Sequence, residues 1–517
     1  MRRPVAITFA LTCLSLVVEG QPAGTLLVRH GRVIDGSGGP SRQVDVRIAG
    51  DLIVEVAPQL TPRDGEIVVD AVDRVVAPGF VDMHSHADGG MLDHPDALSQ
   101  IQQGITTALV GQDGGGDLPV SDFLERIESA RPAINVATSV GHGTVRGLVL
   151  GADFKRAATD GEIAVMRALV DRAMKDGAVG LSSGLEYDPG FYAQPAELVA
   201  LASAISPFGG VYSSHVRDEE SEVVAAWNEA IDVGRRAKVA VEISHMKVAA
   251  KAVWGKAGEA LAVIDAAVRE GLDVGGDWYP YPYWQSSMYV LIPDRDFENV
   301  EKWRLGLDEI GGAQNVLITN YSADATWNGR TLAELAGREK IDPPALIVRM
   351  VKTAGPNIGI IGTSMDEADM RAIFAHPRVL ICSDGQLSGR HPRGYNAFPR
   401  VLARYVRDAH VVPLEEAIAK MTGRSAARLG FSDRGLIAVG RKADLVVFDP
   451  DAIGDRGTPQ EPALSPVGID TVVVNGTVVL ASGKPTGARP GHALRPHRTQ
   501  RSASTFGLAP AAASRTR

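Results

Sequence analysis

Cysteine is almost missing from this chain: 517 residues contain two, Cys13 and Cys382. Cys13 falls within the apolar stretch "VAITFALTCLSLVV", behind Met1-Arg2-Arg3 and ahead of the small, polar "EGQPAG". That order predicts a cleavable export signal over residues 1–23, cut between Gly20 and Ala23. Its removal leaves Cys382 alone, which excludes an internal disulfide in the mature chain. "FALTC" puts Leu and Thr where a lipid-attachment motif wants small residues, which argues against a lipoprotein. No later apolar run is long enough to span a bilayer, so a periplasmic or secreted chain without stable membrane insertion is expected. Basic charge is also lacking. Fifty-three Lys and Arg stand against 62 Asp and Glu, a net charge of −9, and that balance argues against a nucleic-acid partner.

The chain does have length and glycine. It is too long for one simple domain, and 56 glycines suit a fold with many short strand-to-helix loops. Residues 25–76 alternate apolar and polar in short runs such as "QVDVRIAGDLIVEVA", the texture of a small antiparallel sheet. A similar texture returns in "GLIAVGRKADLVVFDP" and "VGIDTVVVNGTVVLASGKP". Segments 24–76 and 431–486 therefore predict one small β-sandwich domain assembled from both ends of the chain.

Between them, over residues 77–430, eight apolar runs alternate with helical stretches: "GFVDMH", "ITTALVG", "INVATSVG", "GAVGLSS", "GGVYSSH", "VAVEISH", "LDVGGDW" and "RVLICSD". Helices are expected at "GEIAVMRALVDRAMKDG" and "WGKAGEALAVIDAAVREG". This alternation predicts an α/β fold, a parallel (β/α)₈ TIM barrel, with an insertion at about 288–376. Beyond residue 487 the composition turns to Arg, Ala, Ser and Pro without periodicity and reads as a mobile tail.

Polar residues fall at the ends of these runs: His84 and His86 after the first, Asp113 after the second, His215 and His245 after the fifth and sixth, Asp384 after the eighth. In a barrel the C-terminal strand ends share one mouth, so the six would converge there. Imidazole and carboxylate are the ligands of zinc or a similar divalent ion. The plainer readings are hydrogen-bonded strand-end histidines and, for Asp113, a loop cap beside a glycine run. His142, in "SVGHGTVR", is a candidate pocket residue rather than a ligand.

The ordered motifs "PGFVDMHSHAD", "GITTALVG", "GHGTVR", "GLEYDPGFYA", "YSSHVRDE", "ISHMKV", "DWYPY", "SDGQ", "HPRGYNAFPRVL" and "MTGRSAARLGFSDRGLIAVGRKADLVVFDP" resemble the amidohydrolase superfamily. More closely, they resemble its N-acyl-D-amino-acid deacylases (D-aminoacylases), over about residues 25–485. The resemblance implies metal-dependent hydrolysis of an N-acyl-D-amino acid, with one or two zinc or other divalent ions held by His84, His86, Asp113, His215 and His245, and with Asp384 as general base and acid. It also implies a substrate grip from Lys247, Tyr279, Arg393, Ser286 (or Ser287) and Tyr187; surface or packing roles are the alternative for each. The partner is then a small molecule, and nothing fixes the oligomeric state. Two departures stand out: Asp113 occupies the place where the family usually presents a cysteine, and no lysine follows the fourth run. D-stereochemistry comes from the resemblance alone. The rival readings are a dipeptidase or another amidase, acting on an L-configured or cyclic amide, and an inactive binding relative.

Overall fold

The computed structural model of the chain describes residues 25–497; the expected export signal and the far part of the expected tail lie outside them. Eight strand positions run parallel through the middle: β1 (Phe80–Asp82), β2 (Ile105–Val110), β3 (Asn135–Thr138, resuming at Val140–Gly141), β4 (Gly180–Gly184), β5 (Val211–His215), β6 (Ala240–Ile243), β7 (Val274–Trp278) and β8 (Val379–Ile381). Each pairs in parallel with the next. The run also returns to its start: Asp384 N–H donates to His84 O at 2.8 Å, and Ser85 bridges Gly385 in parallel.

Local sequence explains the crossovers. Helix Asp160–Asp176, between β3 and β4, starts at a reciprocal cap in which Thr159 accepts from Glu162 N–H and the Glu162 carboxylate accepts from Thr159 N–H. It stops at Gly177, whose φ of 119° suits glycine. Helix Ala257–Arg269 buries Ala260, Leu261, Ile264 and Ala267, one face at helical spacing. Both helices coincide with the stretches expected from sequence.

The chain ends build two further sheets. One orders Leu52–Ala57, Asp45–Ala49, Thr25–Arg29 and Ile67–Asp70; the other runs from Lys484–Pro485 through Leu445–Phe448 and Val75–Pro78 to Arg42–Gln43. They share a buried cluster that includes Leu26, Val46, Ile48, Val76, Leu445 and Val473. The first sheet is not purely antiparallel as expected, since Thr25–Arg29 pairs in parallel with Ile67–Asp70. The chain leaves that sheet for the second and returns before adding the pair, a crossover that alternation alone does not encode.

Three boundaries differ from expectation. The insertion begins earlier and ends sooner than 288–376. Tyr283–Ser287 pairs antiparallel with Gly359–Thr363, and Trp284, Met288, Trp303 and Ile360 share a separate core. Helix Glu367–Ala375 instead follows Asp366, which caps it, and completes the crossover into β8. The expected tail is not free from its start: Gly491 N–H donates to Pro132 O, Val136 N–H to His492 O, and Leu494 N–H to Val136 O. Backbone groups of Pro132 and of Val136 in β3 supply partners that composition does not reveal. Among the described residues no helix is long and apolar enough to cross a membrane.

Candidate metal centre and cavity

Just past β1 the stretch "HSH" sends His84 inward, fully buried, and leaves His86 at the cavity wall. β5 ends in His215, and His245 lies two residues past the end of β6. Asp113, His245 and Asp384 each have positive φ, 53°, 34° and 50°. For non-glycine residues such a backbone costs on the order of 1–3 kcal/mol, so the surrounding structure must enforce it. Part of that enforcement is visible at His245, whose N–H donates to Asp277 Oδ1 at 2.7 Å. Beside Asp113, Gly114 has φ 75°, and a Cβ there would lie 2.8 Å from Gly184 N.

The six expected residues converge. Asp113 Oδ1 lies 3.3 Å from His84 Nε2, 3.3 Å from His245 Nε2 and 3.8 Å from His215 Nδ1, while its Oδ2 lies 3.2 Å from His86 Nε2. Asp384 Oδ1 stands 3.3 Å from His86 Nε2 and 3.7 Å from His84 Nε2. Ligand atoms of His84, Asp113, His245 and Asp384 all fall within 4.8 Å of one another, as do those of His215, Glu219 and His245. Both ring nitrogens of His84 are buried without a hydrogen-bond partner. An orphaned imidazole in an oxygen- and nitrogen-rich cluster fits a divalent ion, and the donor set contains no sulfur.

The charges point the same way. Burial raises the Asp113 carboxyl, but His84 and His245 outweigh this and hold it well below its ordinary range. Burial likewise works against Asp384, whose carboxyl Arg393 and the histidines nonetheless keep far down. Burial pulls His215 down to about 4, which keeps its imidazole neutral and able to donate a lone pair. On His245, burial and Lys247 oppose a charge, yet Glu219, Asp113 and Asp384 carry it up to about 10. The carboxylates therefore call for positive charge at this spot, which a cation can supply in place of a proton.

A cavity of about 670 Å³ opens onto the cluster. Its lining includes all five expected substrate residues: Tyr187, Lys247, Tyr279, Ser286 and Arg393. Tyr187 lies over His215, with ring centroids 4.4 Å apart. Tyr279 has a buried hydroxyl without a partner, and Lys247 and Arg393 both stand over its ring, at 5.7 and 4.9 Å. Lys247 and Arg393 are not free cations: Lys247 Nζ pairs with Glu219 Oε1 at 2.6 Å and Arg393 with Asp384. The insertion contributes Ser286, Tyr289, Asn320 and Asn357 to the outer wall. His142 is absent from the lining; its Nε2 meets Glu197 Oε1 at 2.9 Å in the interior.

Sequence reasoning missed two residues here, Glu186 and Glu219. Glu186 Oε2 sits 3.0 Å from His215 Nε2, and Glu219 Oε1 sits 3.1 Å from His245 Nδ1. The signal was present, since "GLEYDPG" and "SHVRDEE" each put an acid just past a strand end. Neither stands at the last position of its run, where convergence is easiest to infer.

The profile of the amidohydrolase family matches residues 67–256 and 330–480. An N-acyl-D-glutamate deacylase of Alcaligenes xylosoxydans xylosoxydans is 38% identical over 494 residues, covering 91% of this chain and 96% of that protein. A D-aminoacylase of the same organism is 36% identical, covering 91% and 97%. The crystal structure of an N-acyl-D-glutamate deacylase from Bordetella bronchiseptica, complexed with zinc and a phosphonate that mimics the tetrahedral intermediate, superposes with a TM-score of 0.83 at 34% identity. That match covers 92% of this chain and 100% of the crystallised one.

Proposed function

The chain belongs to the amidohydrolase family, and from that premise we propose that it hydrolyses the amide bond of N-acyl-D-amino acids, releasing a carboxylate and a D-amino acid. The reaction is metal-dependent. The observation that carries it is the meeting of His84, His86, Asp113, His215, His245 and Asp384 at one end of a cavity large enough for an acylated amino acid. His215, His245 and Asp113 would hold one ion, and His84, His86, Asp113 and Asp384 would border a second. When bound, such an ion polarises a carbonyl and acidifies water towards a pKa of about 7.

Asp384 does the proton work. Arg393 keeps it ionised, so it accepts the proton of the attacking water and delivers it to the leaving amine nitrogen. The unpartnered Tyr279 hydroxyl is placed to donate to the oxygen that gains charge, which would otherwise be left in a low-dielectric pocket. Lys247 and Arg393, each already paired with one carboxylate, still have N–H groups to offer a substrate carboxylate, and Ser286 and Tyr187 share the same cavity lining.

The same reading extends to architecture and location. The closed parallel run supports a (β/α)₈ barrel over 77–430, and the two sheets with a common core support a small β-sandwich formed from 24–76 and 431–486. The first 23 residues, by their charge and apolar order, support export to the periplasm or beyond.

The test is a panel of N-acetyl-D- and L-amino acids, D- and L-dipeptides and a cyclic amide, assayed with zinc, cobalt and manganese. Turnover confined to D-substrates is expected. If every D-substrate is inert while L-configured or cyclic amides react, the deacylase reading fails and only a metal-dependent amidase remains. Inertness of every amide on fully metal-loaded protein would favour a binding protein.

A further inference from the structure

His215 and His245 turn one ring nitrogen towards each other and the other outward. The inner pair, His215 Nδ1 and His245 Nε2, lies 2.9 Å apart, with Asp113 Oδ1 at 3.8 and 3.3 Å. Each outer nitrogen meets a carboxylate: His215 Nε2 faces Glu186 Oε2 at 3.0 Å, and His245 Nδ1 faces Glu219 Oε1 at 3.1 Å. We propose that Glu186 and Glu219 are positioning residues that hold the outer N–H of each ring, so that both inner lone pairs face one divalent ion.

The argument is one of proton placement. A neutral imidazole carries a single N–H, and the partner of one nitrogen decides which nitrogen bears it. Burial and the neighbouring Glu219 push the Glu186 carboxyl well above its ordinary range, and a divalent ion at the inner face opposes that push; as a carboxylate each group only accepts, so it draws the proton outward and leaves the inner nitrogen bare. Two bare nitrogens 2.9 Å apart repel each other unless a cation lies between or beside them. Without the carboxylates, either ring could turn its proton inward and block the ion.

The two halves differ in their surroundings. Among the described residues Glu186 is the only side chain hydrogen-bonded to His215 Nε2, and Arg295 steadies it by donating to the Glu186 carbonyl at 2.6 Å. At His245 Nδ1 the Lys247 ammonium also approaches, at 2.6 Å. An ammonium has only protons to offer there, which favours the opposite tautomer. Lys247 stands equally close to Glu219, at 2.6 Å, so with an ion at the inner face it donates to that carboxylate while His245 does the same. Glu219 therefore carries two tasks, and Glu186 one.

The proposal rests on the metal-dependent reading above, but its test needs no substrate. Full-length protein is stripped of metal and titrated with zinc against a fluorescent chelator, and thermal unfolding of the metal-free forms controls for folding. Glu186→Leu is expected to weaken zinc binding by about 10- to 100-fold. Glu186→Gln keeps an oxygen acceptor and recovers most of the loss. Parent-like affinity in the Leu variant overturns the proposal. So does a Gln variant as weak as Leu, because Glu186 would then be a direct ligand. Glu219→Leu alone strands the buried Lys247, so it is paired with Lys247→Met; undiminished affinity in that double variant removes Glu219 from the proposal. Loss of zinc in these variants alongside an inert D-substrate panel would sink the deacylase reading and leave the positioning role intact; D-turnover with unchanged zinc affinity would do the reverse.

Discussion

A proton acceptor works only while ionised, and Asp384, proposed above for that role, is held in its ionised form. Burial alone would neutralise it, and Arg393 with the histidines reverses that tendency. Asp384→Asn keeps the shape but removes the acceptor, and is expected to lower kcat by about 10²- to 10⁴-fold. Elemental analysis should find metal retained at the His215–His245 position. A second carboxylate shows the same balance away from the centre. Glu197 is nearly fully buried, yet His142 and Arg146 carry it below its ordinary value of 4.5. Its stabilisation is therefore complete above about pH 4.5 and is lost as pH falls through the lower folded value. Urea unfolding from pH 3 to 7 should show a shallower acid dependence in Glu197→Gln than in the parent. An unchanged slope would mean that this cluster does not govern acid stability.

At the scale of elements, legibility followed local physics. Helix Asp160–Asp176 was readable because its period, its capping residues and its terminal glycine all agree within one stretch. Thr159→Ala removes the hydroxyl that accepts from Glu162 N–H, leaving only the backbone half of the cap, and should lower stability by about 0.5–2 kcal/mol in denaturant titration, with kcat and KM unchanged. A loss of activity there would show that this crossover reports to the cavity. The insertion was visible as excess length but its edges were not. Tyr283–Ser287 is a strand because Gly359–Thr363 lies beside it, and that pairing spans some seventy residues that local pattern does not connect. The loops after β4 and β5 show a similar limit. Glu186 and Glu219 look like ordinary solvated acids in sequence, and only the fold turns them towards histidines.

Across the whole molecule, distant segments share tasks. Residues 488–497 return to the start of β3, where Val136 donates to His492 O and accepts from Leu494 N–H, and Asn475 reaches Pro490 O. Ending the chain at 487 should release these bonds and cost roughly 1–4 kcal/mol, at about 1 kcal/mol for each net hydrogen bond. The melting temperature of the truncated protein checks this, and an unaltered value would return the segment to the mobile tail expected from composition.

The order of the strand-end histidines and acids, the alternation of runs and helices, and the paired β textures at both ends were determined by sequence alone. Each depends on periodicity or on residue type at the close of a run, and both are local properties. Tertiary structure decided which nitrogen of each imidazole faces the centre, which carboxylates neutralise Lys247 and Arg393, and where the insertion and the final segment attach. These depend on distances between residues far apart in the chain, and such distances exist only after the core has packed.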